Sequence, residues 1–584
     1  MIVATLLALP AVFSDFYSDD SIQIAQLEGW APPRGTTFDL FNFGSGGSET
    51  AELIQRGPLP WWTALDYRVH FFRPLSSAFL TLEHMVFGRG AMGYHLVSLL
   101  LQAALIAVVA ALFRRTLPKL WALSLFLFAI DEAHAEAVGW IAANNSIISL
   151  GMSVLSIIAY LRYREDGWKP GMVLALAAAM VSALAGEAGV GALAYVLTYQ
   201  LVGVRARGRV VDHLRRLVDL WPFALVLLPH IAAYRIGGYG SRGHMSYLDP
   251  TGDVSVFLEN VGQRVLALFG NLVLGSPIVL WWKSATFRVI LVSIGVVALL
   301  LVIRWVRIAA TRVTEDEMRH VRWFWLGSLL SLLPTSAGPI GMPRVMVVAT
   351  LGIAPLLALL LHDGWSRLRD RSASTLRRAA AGVGFAMIAV PNLIFSVLMF
   401  LVANVSMVLL SKYSEHMTSE TDRVVSESSG GSDTSSKPLR VLVISSDDLV
   451  TLLYVPYLRR DHPRWRSLWT LAPLATSETL RRLDARTIEI VTSDRFFTRP
   501  VDVALSGGRI PRLGTSVRLD GAEVTVTEER DSHPSRVTLR FDTAHDLDQI
   551  RLVRWRDREV YPVTLPDVGQ DLAMESFQPS WLFR

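Results

Sequence analysis

The chain contains no cysteine, which excludes disulfide bridges, thiolate metal sites and cysteine nucleophiles. Charge is scarce as well. Only 18% of the 584 residues are Asp, Glu, Lys or Arg, against about a quarter in an ordinary soluble chain. No internal repeat pairs one half of the sequence with the other, which argues against a transporter built from two matching halves. His134 and Glu136 lack the H-E-x-x-H spacing of a zinc site, so no residue is assigned to a metal.

Apolar residues fill the space that charge leaves. They make up 52% of the chain, with a mean hydropathy of +0.38, and they occur in runs of spanning length, so this is a polytopic membrane protein. The net charge of +5 would suit nucleic acid. However, the basic residues sit in short clusters between apolar runs, where they set orientation and need no nucleic-acid partner.

Met1 to Phe13 is apolar but shorter than the roughly 20 residues a span needs. It has no charged n-region and Asp15 follows at once, so it reads as a first membrane helix, short or begun late by a misplaced start codon, rather than a signal peptide. Further runs are Met92 to Phe113, Leu120 to Ala133, Val138 to Leu161, Met172 to Ala185, Val190 to Val204, Leu217 to Tyr234, Val289 to Ile303, Trp323 to Leu333, Val345 to Leu361 and Ala379 to Leu410. About eleven spans result, the last long enough to project from the membrane.

Arg114, Arg115 and Lys119, then Arg162, Arg164 and Lys169, then Arg205, Arg207, Arg209, Arg215 and Arg216 fall in alternate loops, as do Arg304 to Arg322 and Arg367 to Arg378. By the positive-inside rule these loops and the N-terminus are cytoplasmic. Two long loops, 14–91 and 235–285, and the C-terminal tail then face outward. The first loop has turn signals at Pro32-Pro33 and Gly44 to Gly47. Its Trp30, Trp61, Trp62, Tyr67, Phe71 and Phe72 suit amphipathic helices lying at the membrane surface. The expected domains are a membrane unit over 1–411, a linker over 412–438 that is richest in Ser, Gly and Asp from Ser426, and a β-rich outward domain over 439–584. In that last domain period-2 runs such as Val441 to Ile444, Thr487 to Val491, Val524 to Thr527 and Val537 to Phe541 indicate strands. Asp447-Asp448 reads as turn chemistry.

The outward face gathers Asp15, Asp19 and Asp20 just after the first apolar segment, Asp131, Glu132, His134 and Glu136 after the third, Glu187 after the fifth, and Arg73, His95 and Arg344. Ionisable groups at a membrane helix mouth are functional-site candidates. Such a set suits three roles: binding a divalent metal, Mg or Mn, activating a hydroxyl, or pairing internally. Glu187, flanked by Gly186 and Gly189, also has a purely structural reading as the partner of Arg344.

Four short motifs occur in a familiar order and spacing: Phe16-Tyr17-Ser18-Asp19-Asp20, Phe72-Arg73-Pro74-Leu75, Gly93-Tyr94-His95-Leu96 and His134-Ala135-Glu136-Ala137-Val138-Gly139-Trp140-Ile141. Over roughly residues 1 to 350 the chain resembles the polytopic C-type glycosyltransferases, nearest the bacterial membrane mannosyltransferase-like proteins and the membrane half of the transmembrane O-mannosyltransferases, without their tetratricopeptide array. The resemblance implies an enzyme of the bacterial inner (plasma) membrane that takes a sugar from a polyprenyl-phosphate carrier and gives it to a hydroxyl of a glycan, lipid or protein on the outer face. It implies catalysis by Asp19 or Asp20 as general base, and substrate binding by Asp15, Arg73, His95, His134, Glu136, Glu187 and Arg344. Arg73 and Arg344 would meet the lipid phosphate. The sequence departs from the family pattern at Asp131-Glu132, Ala143-Asn144-Asn145, Ala185-Gly186 and Pro343, where His-Pro, Gly-Arg, Ser-Lys and Glu are usual. These departures keep open a second reading, a non-catalytic member acting in envelope polysaccharide assembly or transport.

Overall fold

Local signals start and stop the helices where physical chemistry places them. Proline at the first turn, whose missing N–H costs nothing there, opens Pro74–Phe87 and Pro170–Ala185. The Thr314 hydroxyl accepts the Glu317 N–H at 3.2 Å to start Glu315–Thr335. In this computed structural model the residues described are 1–29, 35–204, 217–250, 252, 254–427, 439–458 and 465–575. Trp30, Pro32-Pro33, the cluster from Arg205 to Arg216 and most of the Ser426–Pro438 stretch lie outside them.

Five helices are long and apolar enough to cross a membrane: Ala91–Thr116, Ile141–Glu165, Ala285–Arg312, Pro343–Arg369 and Thr375–Glu427. Of the other expected spans, Trp323 to Leu333 lies in the 21-residue helix Glu315–Thr335, and the rest form shorter helices. Trp121–Ala129 has 9 residues and Glu187–Thr198 has 12, or about 14 and 18 Å at 1.5 Å per residue, well under the ~30 Å hydrocarbon thickness. Pro343–Arg369 is the axis of the bundle. Its apolar window is 89% buried, against 28% for Ala285–Arg312 and 22% for Thr375–Glu427, so the last two present most of their apolar surface outward, where lipid must cover it.

Two stretches differ from the expected plan. The second long loop, 235–285, contains a 21-residue helix, Val254–Leu274, whose Ala267–Val273 face is buried in the bundle core. The stretch expected to begin a linker at residue 412 is helical to Glu427, continuous with the last span.

The remainder forms a layer at one end of the bundle. A three-stranded antiparallel sheet, Asn42–Ser45, Arg68–His70 and Gly240–Arg242, ties the first loop to the second. The C-terminal part has two sheets. One is six-stranded and antiparallel. The other is four-stranded, in the order Glu559–Val563, Ile550–Arg556, Leu439–Ser446, Trp465–Pro473; its last three strands pair in parallel and the first pairs antiparallel. Of the four runs read as strands, Val441 to Ile444 lies in this sheet and the other three lie in the six-stranded one. Asp448 Oδ1 accepts the Thr451 N–H at 3.0 Å, so this aspartate caps the helix Leu449–Leu458, and Asp447 Oδ2 accepts the Asp557 N–H at 3.0 Å.

The first loop is docked on this C-terminal domain. Trp61 and Trp62, expected at the lipid boundary, are 3% and 5% exposed and pack against Phe497. Their indole N–H groups donate to the carbonyls of Leu471 at 2.9 Å and Asp502 at 2.7 Å. Trp469 returns the contact, donating to the Gln55 carbonyl at 2.8 Å. A tryptophan needs an apolar bed and one acceptor, and here protein supplies both. Tyr67 is buried in the same core, whereas Phe71 and Phe72 pack on Tyr247 and Tyr239 of the second loop.

Candidate functional site

Asp19 and Asp20 open the helix Asp19–Glu28, where carboxylates suit the positive end of the helix dipole. The turn before them is strained. Ser18 has φ 57° and ψ −131°, a conformation costing a non-glycine residue about 1–3 kcal/mol and typical of positions where geometry serves function.

The two neighbouring aspartates have different surroundings. Asp20 is 2% exposed and accepts the Ala142 N–H at 2.7 Å, which fastens this helix to the turn Ile141–Ala143. Burial raises its pKa well above the usual carboxylate range, and the Asp19 charge adds to the rise, while the Ala142 hydrogen bond opposes it. Asp19 is partly exposed. Its pKa is also raised, by the loss of surrounding water, against the pull of Arg344, a hydrogen bond from Tyr454 and Arg73. The Tyr454 hydroxyl donates to Asp19 Oδ1 at 3.0 Å.

Around Asp19 stand two arginines, each already oriented. Arg344, in the first turn of the axial helix, lies over the Trp140 ring at 4.0 Å and pairs with Glu136 at 3.7 Å. Arg73 sits between the rings of Phe41 and Phe71, at 4.8 and 4.6 Å, and donates to Glu187 Oε2 at 2.8 Å. Tyr234 donates to the other Glu187 oxygen at 2.6 Å. The structural partner of Glu187 is therefore Arg73 and not Arg344, because the first loop folds over the start of Glu187–Thr198. A β-carbon at Gly186 would come within 2.8 Å of the Asn145 side-chain amide, which would have to shift. Tyr247 lies within the electrostatic reach of all four charges, Arg344, Asp19, Arg73 and Glu187, and burial raises its phenol pKa.

The structure thus brings Asp19, Arg73, Glu136, Glu187 and Arg344 into one partly exposed charge cluster at the loop-layer end of the bundle. The remaining expected residues lie apart from it. His134 is fully buried, edge-on to Phe128 and 3.1 Å from the Thr350 hydroxyl. His95 is 2% exposed beneath Ser14 and Asp15. Asp15 lines a separate cavity of about 180 Å³, bounded by Ser411, Glu415, Thr418 and Tyr457. Asp131 caps the helix Ala133–Gly139 by accepting the Ala133 N–H at 2.9 Å, and the Glu132 N–H donates to Ser396 at 2.9 Å. Among the described residues no three of His, Asp and Glu stand close enough to share a metal ion.

Tyr454, Tyr247 and Tyr234 escaped the sequence reading. No local pattern distinguishes them, because their role comes from segments folding together across hundreds of residues.

No family model and no curated protein matches the chain. Among solved structures, it is similar to ArnT from Cupriavidus metallidurans in the apo state, with 14% identity and a TM-score of 0.38 over 79% of this chain and 84% of that one. It is also similar to the same protein bound to undecaprenyl phosphate, with 12% identity and a TM-score of 0.36 over 80% and 88%.

Proposed function

We propose that the protein is a membrane glycosyltransferase that moves a sugar from a polyprenyl-phosphate carrier to an acceptor hydroxyl on the outer face of the membrane. One observation carries this reading. Asp19 is a partly exposed carboxylate with a raised pKa, and it stands within the electrostatic reach of two arginines held by aromatic rings. A hydroxyl becomes a competent nucleophile when a positioned base accepts its proton, and a base works best when its pKa has moved toward the working pH. Asp19 takes the acceptor's proton while the acceptor oxygen bonds to the anomeric carbon. The bond from that carbon to the phosphate oxygen breaks, and the electron pair leaves with the lipid phosphate.

Arg344 is the better placed cation for that phosphate. Its contact to Glu136, at 3.7 Å, is longer than a hydrogen bond, so the guanidinium fork keeps donors for a ligand. Arg73 is committed to Glu187 and shapes the wall. Asp20, engaged with Ala142, holds the helix that presents Asp19.

The test is transfer from radiolabelled polyprenyl-phosphate mannose in membranes containing the full chain. Asp19→Asn should lower transfer by ~10²–10⁴-fold, the range for a general base, with normal insertion. Asp20→Asn should keep most of it. Transfer by Asp19→Asn at the unchanged rate rejects the reading and favours the non-catalytic alternative, for which the docked C-terminal domain would be the working part.

A further inference from the structure

The C-terminal domain reaches Asp19 through the side chain of Tyr454. Its helix Leu449–Leu458 packs on the helix Asp19–Glu28, where Ile22, Ala25 and Tyr457 form a small buried cluster with Phe43 and Tyr454 against it. The Asp448 carboxylate caps the start of that helix, and the Trp61 and Trp62 contacts fix the domain as a whole. Tyr454 therefore arrives at Asp19 from a rigid support, 435 residues away in sequence, and meets it at 3.0 Å.

We infer that the C-terminal domain completes the catalytic charge cluster, with Tyr454 as a positioning residue that holds Asp19 Oδ1 and leaves Oδ2 turned to the acceptor's proton. This rests on the reading of Asp19 as the base. Three points support it. The hydrogen bond fixes a carboxylate that follows the strained Ser18 and would otherwise rotate. Tyr454 is a lasting donor, since burial and the neighbouring Asp19 charge raise its own pKa well above the usual phenol value. A donor to the charged form also holds Asp19 lower than burial alone would leave it. The other groups acting around Asp19 are Arg344 and Arg73, which favour its charged form, Asp20, which opposes it, and the phenols Tyr17, Tyr67 and Tyr247.

The experiment compares the full-length wild type with Tyr454→Phe, which keeps the packed ring and deletes the hydroxyl. Losing a hydrogen bond to a charged group is expected to raise the Asp19 pKa by about one unit. Transfer of mannose from its polyprenyl phosphate should then fall ~10-fold on the acid limb of the pH profile, with KM unchanged and the loss shrinking as pH rises. A loss equal at every pH, or no loss, overturns the inference. A second readout does not depend on turnover. The infrared carboxyl band that disappears in Asp19→Asn should titrate about one unit higher in Tyr454→Phe, and lower when fluorotyrosine, a stronger donor, replaces Tyr454. An unmoved band in both overturns the contact whatever the transfer assay gives. If instead Asp19→Asn transfers normally while the band moves, the base assignment fails and the contact stands.

Discussion

The helical bundle and the loop layer each contain a deeply buried, ion-paired carboxylate, Asp363 and Glu478, and they accommodate it in opposite ways. In the bundle Asp363 is fully buried, but its partners Arg312 and Arg367, at 3.1 and 2.7 Å, are each 38% exposed, and Trp305 donates to it at 2.8 Å. In the layer Glu478 is fully buried and its partner Arg554, at 2.9 Å, is only 6% exposed. Ser445 and the Ala475 N–H complete the shell of Glu478 at 2.6 and 2.7 Å. The bundle thus leaves its cations with a route to water, whereas the layer closes on both charges. A closed pair is a poor source of net stability but costly to break, so it acts as a check that the layer is assembled correctly.

Four measurements would break or sharpen this contrast. Glu478→Ala should have the largest effect, about 3–5 kcal/mol, because it strands the buried Arg554. Hydrogen exchange should speed up across the C-terminal sheets and leave the axial helix protected, and equal loss in both regions would mean the layer and bundle unfold as one. Trp62→Phe should come next. It leaves the Asp502 carbonyl without its donor, at about 1–3 kcal/mol, read as faster proteolysis between the first loop and the C-terminal domain.

Asp363→Ala should cost less, about 1 kcal/mol, since its freed arginines are already partly solvated. A loss as large as that of Glu478→Ala would erase the contrast. The smallest effect should come from Asp20→Asn. The folded pKa of Asp20 is raised, so its contribution to stability is fully present below the ordinary carboxylate range and is lost as pH rises through the raised value. The variant should therefore melt above wild type near neutral pH and match it in strong acid. A gap that widens on acidification would contradict this.

The apolar runs were legible because a span is a local property of some 20 residues. So were the strands of the tail, where alternation is equally local. Trp61 and Trp62 were misread because an amphipathic ring asks for the same surroundings at a lipid boundary and at a protein interface, and only the fold decides which it gets. The site was legible in part for the same reason. Asp19 and its two arginines stood out as charges beside apolar runs, but the pairing of Arg73 with Glu187, and of Arg344 with Glu136, is decided by how distant segments meet. His134 stood in a motif, yet its helix turns it into the core toward Thr350.

The 53-residue helix Thr375–Glu427, which carries a π-helical turn at Val390–Phe395, has a mechanical consequence. At 1.5 Å per residue it runs about 80 Å, far more than the ~30 Å of hydrocarbon, and its C-terminal part packs against the helix Leu449–Leu458 and the strands Ile550–Arg556 and Glu559–Val563. Each residue added to its free portion would turn its tip by about 100° and lift it by about 1.5 Å. The turn count of this helix therefore sets which of its side chains meet the helix that carries Tyr454.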